Sequence, residues 1–114
     1  MTEDTNLNKE IESKLAYVLA RVYMNIPWNK IHISNAHKFF IDRIRASTNT
    51  KTFKEYVDVL TKKCNVEVIK IETEIIDFLD ENSNITMRLL RNESLYMCNF
   101  ALETVEEIKK DGGK

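Results

Sequence analysis

The scarcity of glycine is the feature of this sequence that most restricts its fold. The chain has 114 residues and two glycines, Gly112 and Gly113, so that none occurs in the first 111 residues. Glycine reaches the positive φ values that tight hairpin turns require, and it lets a backbone approach a phosphate closely. Residues 1–111 therefore exclude a Rossmann dinucleotide-binding fingerprint, a P-loop and a nucleophile elbow, and they favour helices joined by polar loops.

Apolar residues at spacings of three and four predict the first two helices. The first helix is expected to be capped within residues 4–6 and to end near Asn25, because Pro27 disfavours the α conformation of the residue before it. Ser34 is the expected cap of a second helix that runs to about Ala46. The apolar stripe of the first helix comprises Leu7, Ile11, Leu15, Val18, Leu19, Val22 and Ile26.

The middle of the chain also predicts helices, with one ambiguity. Thr52 and Glu55 match a capping box, in which the hydroxyl and the carboxylate bond the free amides at the start of a helix. The apolar ladder over residues 53–80 predicts either one long helix or two helices broken near residues 63–65. Residues 66–72 are rich in β-branched side chains, which keeps a strand or short hairpin as the alternative there.

The last segment predicts a buried helix. Asn-Ser-Asn at residues 82–84 is expected to cap a helix over about residues 85–110. Ten of the 17 residues from Leu89 to Val105 are apolar, so this helix should be covered on all sides. Gly112 suits its C-terminal cap and leaves Gly112–Lys114 as a flexible tail. We therefore expect one all-α domain over residues 1–114, a compact four- or five-helix bundle with the C-terminal helix central.

The net charge of −1 conceals a segregation of charge. Residues 28–63 carry eight Lys or Arg against three Asp or Glu, whereas residues 66–81 carry one against six. The pattern predicts that the two segments neutralise each other across the fold or, alternatively, that the protein has opposed basic and acidic faces. Arg88 and Arg91 fall in the first turns of the predicted last helix, where the helix dipole disfavours cations. A carboxylate of this chain or an external anion is therefore expected beside them.

Residues that could carry chemistry are few and scattered. His32 and His37 are five apart, whereas two metal ligands on one helix face are three or four apart. Cys64 and Cys98 follow no paired spacing and are interpreted as buried thiols in a reducing cytosol, with a disulfide between them as the alternative. We expect no enzyme, no catalytic residue, no metal and no cofactor. No apolar run approaches the roughly 20 residues that cross a bilayer, so no membrane partner is expected.

Basic and aromatic residues cluster between Trp28 and Lys54. The cluster comprises Lys30, Lys38, Arg43, Arg45, Lys51 and Lys54, with Trp28, Phe39 and Phe53 between them. Basic groups attract phosphates and aromatic rings stack on bases, but the pI of about 6.1 is below the values above about 9 that are typical of dedicated nucleic-acid binders. Tyr17, Tyr23 and Met24 either complete the core or give the first helix a contact surface for a homodimer or another protein. The predicted partner-binding residues are Trp28, Lys30, Arg43 and Arg45.

The chain resembles a family of viral proteins. The segments Tyr23-Met24-Asn25-Ile26-Pro27-Trp28-Asn29-Lys30 and His37-Lys38-Phe39-Phe40-Ile41-Asp42, together with the frequent use of Ile, Asn and Lys, resemble small proteins of rod-shaped viruses (rudiviruses) of Sulfolobales archaea. In length and helical pattern the whole chain is similar to a domain family of unknown function from those viruses. Members of that family include inhibitors of type III-B CRISPR defence.

The resemblance implies a function without assigning residues to it. It implies a virus-encoded, non-enzymatic binding protein in the host cytoplasm that inhibits type III CRISPR-Cas defence by binding a host protein or ribonucleoprotein. No family motif of functional residues carries over to this sequence. The alternative is a homo-oligomeric helical protein that binds nucleic acid during viral replication or packaging.

Overall fold

Six α-helices account for most of the residues that the structure describes. The structure is a computed structural model, and it describes residues 2–25, 36–46, 49–64 and 71–111. The helices are α1 (Thr2–Asn25), α2 (Ala36–Ala46), α3 (Phe53–Cys64), α4 (Thr73–Glu81), α5 (Ser83–Asn92) and α6 (Ser94–Lys110). These four ranges contain no strand, so the predicted all-α bundle is confirmed.

The helix ends agree with most of the local sequence signals. Helix α1 ends at Asn25 and α2 ends at Ala46, as predicted. Helix α3 ends at Cys64 and α4 begins at Thr73, so the apolar ladder over residues 53–80 forms two helices rather than one. The expected cap Ser34, most of the ambiguous stretch at 66–72 and the expected tail at 112–114 lie outside the described residues.

The predicted last helix is two helices, which raises the helix number to six. The chain leaves helical geometry at Glu93, which has φ −125° and ψ 39°. The Glu93 amide still donates to the Leu89 carbonyl at 3.0 Å, and the Glu93 carbonyl accepts from the Met97 amide at 2.9 Å. Asn92 and Ser94 flank the break, and such residues favour helix ends over helix interiors. The break therefore interrupts helical geometry at Glu93 while both of its backbone hydrogen bonds are kept.

The break also changes the electrostatic setting of two arginines. Arg91 lies in the last turn of α5, where the helix dipole favours cations, and Arg88 lies in the middle of α5 rather than near the start of a longer helix. Arg88 Nη1 lies 3.8 Å from Glu93 Oε2, which is the internal carboxylate that the sequence analysis expected. The Arg91 guanidinium donates to the Thr50 carbonyl and so ties the segment before α3 to α5.

The core sits between α1 and α6. Helix α6 packs most extensively along α1 and also contacts α2 and α5, so the C-terminal helix is central as predicted. Tyr23 is buried, and Tyr17 and Met24 pack half-buried against the core, which favours the core interpretation of these three residues. Each fully buried large apolar side chain contributes about 1.5–3 kcal/mol before entropy is subtracted. The largest fully buried side chains are Tyr23, Tyr56, Phe40, Phe53, Ile11, Leu15, Leu19, Leu60, Leu79, Leu89, Leu90 and Met97.

The predicted capping box at the start of α3 is confirmed. The Glu55 amide donates to Thr52 Oγ1 at 3.2 Å, and Glu55 Oε1 accepts from the Thr52 amide at 3.0 Å. The Lys51 amide donates to the same carboxylate oxygen. Bonds from these two amides are the main reason that the pKa of Glu55 lies below its ordinary value. The carboxylate is thus stabilised in its ionised form.

A buried threonine joins α4 to α5. Thr86 is fully buried, and its hydroxyl donates to the Leu79 carbonyl at 3.0 Å. Leu79 lies in the last turn of α4, where carbonyl groups lack an amide partner further along the helix. The side chain of one helix therefore satisfies an otherwise unpaired carbonyl of the preceding helix.

We predict that Glu55→Gln flattens the pH dependence of stability in acid. Glutamine fits a capping box, so the variant removes mainly the charge. Because the folded pKa of Glu55 is lowered, its ionisation stabilises the protein above the unfolded pKa of about 4.5, and this contribution is lost as the pH falls through the folded pKa. The difference in free energy of unfolding between wild type and variant should shrink below about pH 4.5. Urea titrations at several pH values measure it, with Glu106→Gln on α6 as the control. A difference that is constant from pH 3 to pH 7 contradicts the prediction.

We predict that Thr86→Val destabilises the protein by about 1–3 kcal/mol, because it leaves the Leu79 carbonyl buried without a donor. Thr104→Val is the matched control. The Thr104 hydroxyl donates to the Phe100 carbonyl at 2.9 Å within α6, where helix geometry already provides an amide donor. The control should change the free energy of unfolding by under about 0.5 kcal/mol. Equal losses in the two variants, measured by urea denaturation, would argue against the role of Thr86.

Candidate protein-binding surface

Of the four predicted partner-binding residues, the structure describes Arg43 and Arg45. Trp28 and Lys30 lie outside the described residues. Arg43 and Arg45 both lie in the last turn of α2, with Arg45 exposed and Arg43 half-buried. Side chains two residues apart on a helix do not face each other, so these two guanidinium groups point to different sides of α2.

Contacts with the acidic segment neutralise part of the basic segment. Lys54 Nζ lies 3.1 Å from Asp77 Oδ1, and the Lys54 amide donates to Asp80 Oδ1 at 3.0 Å. The hydrogen bond and charge of Asp77 are the largest causes that raise the pKa of Lys54. Phe53 is fully buried and cannot stack on a base. At Lys54 the charge pattern therefore acts as predicted, because a carboxylate of the acidic segment neutralises this lysine. Lys54 and Phe53 are thus less suited to nucleic-acid binding than their place in the basic and aromatic cluster indicates.

The most exposed apolar side chains of the described residues lie in the first turn of α6. Leu95 is 55% exposed and Tyr96 is 46% exposed. Phe100 lies one turn further along, half-buried, with its ring centroid 6.1 Å from that of Tyr96. Leu95, Tyr96 and Phe100 are called the α6 patch below. The other side of the helix is core, with Met97, Cys98, Ala101 and Val105 buried.

A hydrogen bond to α1 fixes the position of Tyr96. Its hydroxyl donates to Glu12 Oε1 at 2.9 Å. Next to it, Tyr96, Asn99, Phe100 and Glu103 line a shallow depression of about 300 Å³. The aromatic side chain is thus held in place by its partner on α1, although nearly half of it is exposed to solvent.

The charges of three carboxylates act on Tyr96, the polar member of the α6 patch. The hydrogen bond to Glu12 is the largest cause that raises the pKa of Tyr96 above its ordinary value, followed by partial burial and then by the negative charges of Glu12, Glu93 and Glu103. These three glutamates are called the acidic rim below. Glu103 also lines the depression, and Glu93 lies 3.8 Å from Arg88. The surface therefore combines an apolar centre with a border that is mainly negative.

Sequence reasoning missed this surface. The run from Leu95 to Leu102 has one polar member, and it predicted a helix covered on all sides. The structure corrects this at Leu95 and Tyr96, which remain 55% and 46% exposed. The signal that could have found them is Asn-Glu-Ser at residues 92–94, because a break there starts a new helix whose first turn lies at the edge of the bundle.

The described residues show no assembled chemical site. Cys98 is a buried free thiol, and burial raises its pKa while a hydrogen bond with Tyr23 lowers it. The expected buried thiol is therefore found at Cys98, and the alternative of a disulfide to Cys64 is not.

In the described ranges no group of three His, Cys, Asp or Glu residues could hold a metal ion. No described helix is both long enough and apolar enough to cross a membrane. His32 and the side chain of His37 lie outside the described residues.

Comparison with known proteins identifies no relative of this chain. No family model, no curated protein sequence and no solved structure matches this chain. The α6 patch and its acidic rim are therefore the basis for the proposals that follow.

We predict that Glu12→Gln lowers the pKa of Tyr96 towards the ordinary tyrosine value. The variant removes the charge and weakens the hydrogen bond that together favour the neutral phenol. NMR titration of the tyrosine ring carbons measures the shift. The control is Glu10→Gln, which removes a carboxylate that lies 3.7 Å from Lys14 on the same helix. An unchanged titration of Tyr96 in the Glu12 variant would show that the hydrogen bond to α1 is not formed.

Proposed function

We propose that the protein is a non-enzymatic binding protein that engages a partner protein through the α6 patch. The observation that carries the proposal is the exposed pair Leu95 and Tyr96 at the start of a helix whose other side is core. Single exposed apolar residues are ordinary on soluble proteins. Here two large ones are consecutive in the exposed first turn of α6, and the Phe100 ring lies 6.1 Å from the Tyr96 ring one turn further along.

The geometry of Tyr96 supports recognition of a protein. Tyrosine is enriched among the residues that dominate interface energies, because it combines a large apolar ring with a polar end. A side chain that is already held in one position loses less conformational entropy when a partner covers it. The hydrogen bond from Tyr96 to Glu12 provides this preorganisation before any partner arrives.

The more specific part of the proposal comes from the resemblance of residues 23–30 and 37–42 to small rudiviral proteins. We propose on that basis that the protein is virus-encoded, acts in the host cytoplasm and inhibits type III CRISPR-Cas defence by binding a protein or ribonucleoprotein component. The neutralised Lys54 and the buried Phe53 favour this role over the nucleic-acid alternative.

The test is inhibition of a reconstituted type III-B effector complex. The wild-type protein should lower cleavage of a target RNA in a dose-dependent way. Leu95→Asp places a charge on the exposed first turn of α6, next to Tyr96 in the chain, and should raise the concentration for half-inhibition at least about tenfold, since loss of a hot-spot side chain costs about 2 kcal/mol or more. Asn84→Asp adds the same charge at an exposed position on α5 and should inhibit like the wild type.

Two outcomes would overturn this function. Failure of the wild type to inhibit contradicts the CRISPR role. Equal inhibition by the wild type and the Leu95 variant contradicts the α6 patch as the binding surface. Circular dichroism and thermal unfolding of both variants establish that each is folded, which is expected because Leu95 contributes little to the core.

A further inference from the structure

We infer that the α6 patch binds a basic amphipathic segment of its partner, in which apolar side chains alternate with lysine or arginine. The inference rests on the proposed function and adds the chemistry of the partner. Its two supports are the apolar centre of the patch and the sign of the charges around it.

The charge at the border favours a cationic partner. Glu12, Glu93 and Glu103 surround Tyr96, and Arg88 lies 3.8 Å from one of them, Glu93. Among the described residues no ion pair joins Glu12 or Glu103 to a cation, and Glu103 borders the depression. A partner that brought carboxylates to this surface would meet like charges, whereas lysine or arginine would meet opposite ones.

The same charges disfavour a second copy of this chain as the occupant. Two copies that met through this patch around a two-fold axis would place the same surface on both sides of the contact. The acidic rim of one copy would then face the acidic rim of the other, and like charges in an interface cost affinity. A basic partner is therefore electrostatically more favourable at this surface than a second copy of the chain.

The apolar side chains of the α6 patch indicate which other residues the partner segment carries. Leu95 and Phe100 require apolar side chains to cover them, and the depression beside Tyr96 is large enough for one such side chain. A cation that lies over the exposed face of the Tyr96 ring gains a further electrostatic attraction. A segment that carries apolar and basic residues on one exposed face supplies both contacts, as an amphipathic helix does in a groove.

Selection from a library of random 16-residue peptides tests the inference. The full-length protein is the bait. A double variant, Leu95→Ser with Tyr96→Ser, is used for counter-selection, because it removes the apolar centre and keeps all three carboxylates. Peptides that bind the acidic rim alone are thereby discarded. We expect the remaining peptides to carry a net positive charge of about three or more, together with regularly spaced apolar residues.

The outcomes separate this inference from the proposed function. If the selected peptides require Leu95 and Tyr96 but are neutral or acidic, the inferred basic partner is wrong. The proposed function then stands, because the α6 patch still binds peptides. If no peptide depends on the patch, the α6 patch is not a binding surface and the proposed function fails with the inference.

Charge reversal in one glutamate gives a second, quantitative measurement. For the most enriched peptide, Glu103→Lys should weaken binding at least about fivefold in fluorescence anisotropy at low salt, and the loss should shrink at high salt. Glu74→Lys on α4 is the matched control, since Glu74 is exposed and is not among the charges that act on Tyr96. It should change the affinity less than about twofold. Equal effects of the two reversals would indicate attraction to the overall net charge and would overturn the inference.

Discussion

The packing of α6 along α1 is the contact on which the rest of the structure depends. These are the longest described helices, with 17 and 24 residues, and they come from opposite ends of the chain. Their contact is the most extensive between any two described helices, and the shorter helices between them in the chain pack around this pair. The same pairing decides which side of α6 is buried. Leu95 and Tyr96 are exposed because α1 and the other described helices cover the opposite side.

Signals that act over a few residues made much of the fold predictable. The capping box of Thr52 and Glu55 requires only two residues three apart, and both reciprocal hydrogen bonds are formed. The signals that predicted the C-terminal ends of α1 and α2 were equally local. The break at Glu93 was missed because the apolar run before it resumes directly after it, so periodicity alone gives one helix. Asn92 and Ser94 carried a weaker signal, the preference of such side chains for helix ends.

The candidate surface was harder to predict because it depends on contacts between distant residues. Arg43, Arg45 and Lys54 cluster in sequence, but α2 directs its two arginines apart and Asp77 pairs with the lysine. Conversely, Glu12 is far in sequence from Glu93 and Glu103, and the charges of all three act together on Tyr96. Composition identified the types of residue that bind partners. It could not show which of them the packing of α6 against α1 leaves exposed.

The hydrogen bond between Tyr96 and Glu12 has a consequence for how a partner can find this surface. Its two residues are 84 positions apart in the chain. A peptide that contained only residues 94–110 would carry Leu95, Tyr96 and Phe100 but would lack two of the three carboxylates, Glu93 and the Glu12 that accepts the hydrogen bond of the tyrosine. The surface is therefore a conformational epitope. A partner that recognises it distinguishes the folded protein from its unfolded or proteolysed fragments, because Glu12 and Tyr96 meet only when both ends of the chain are folded together.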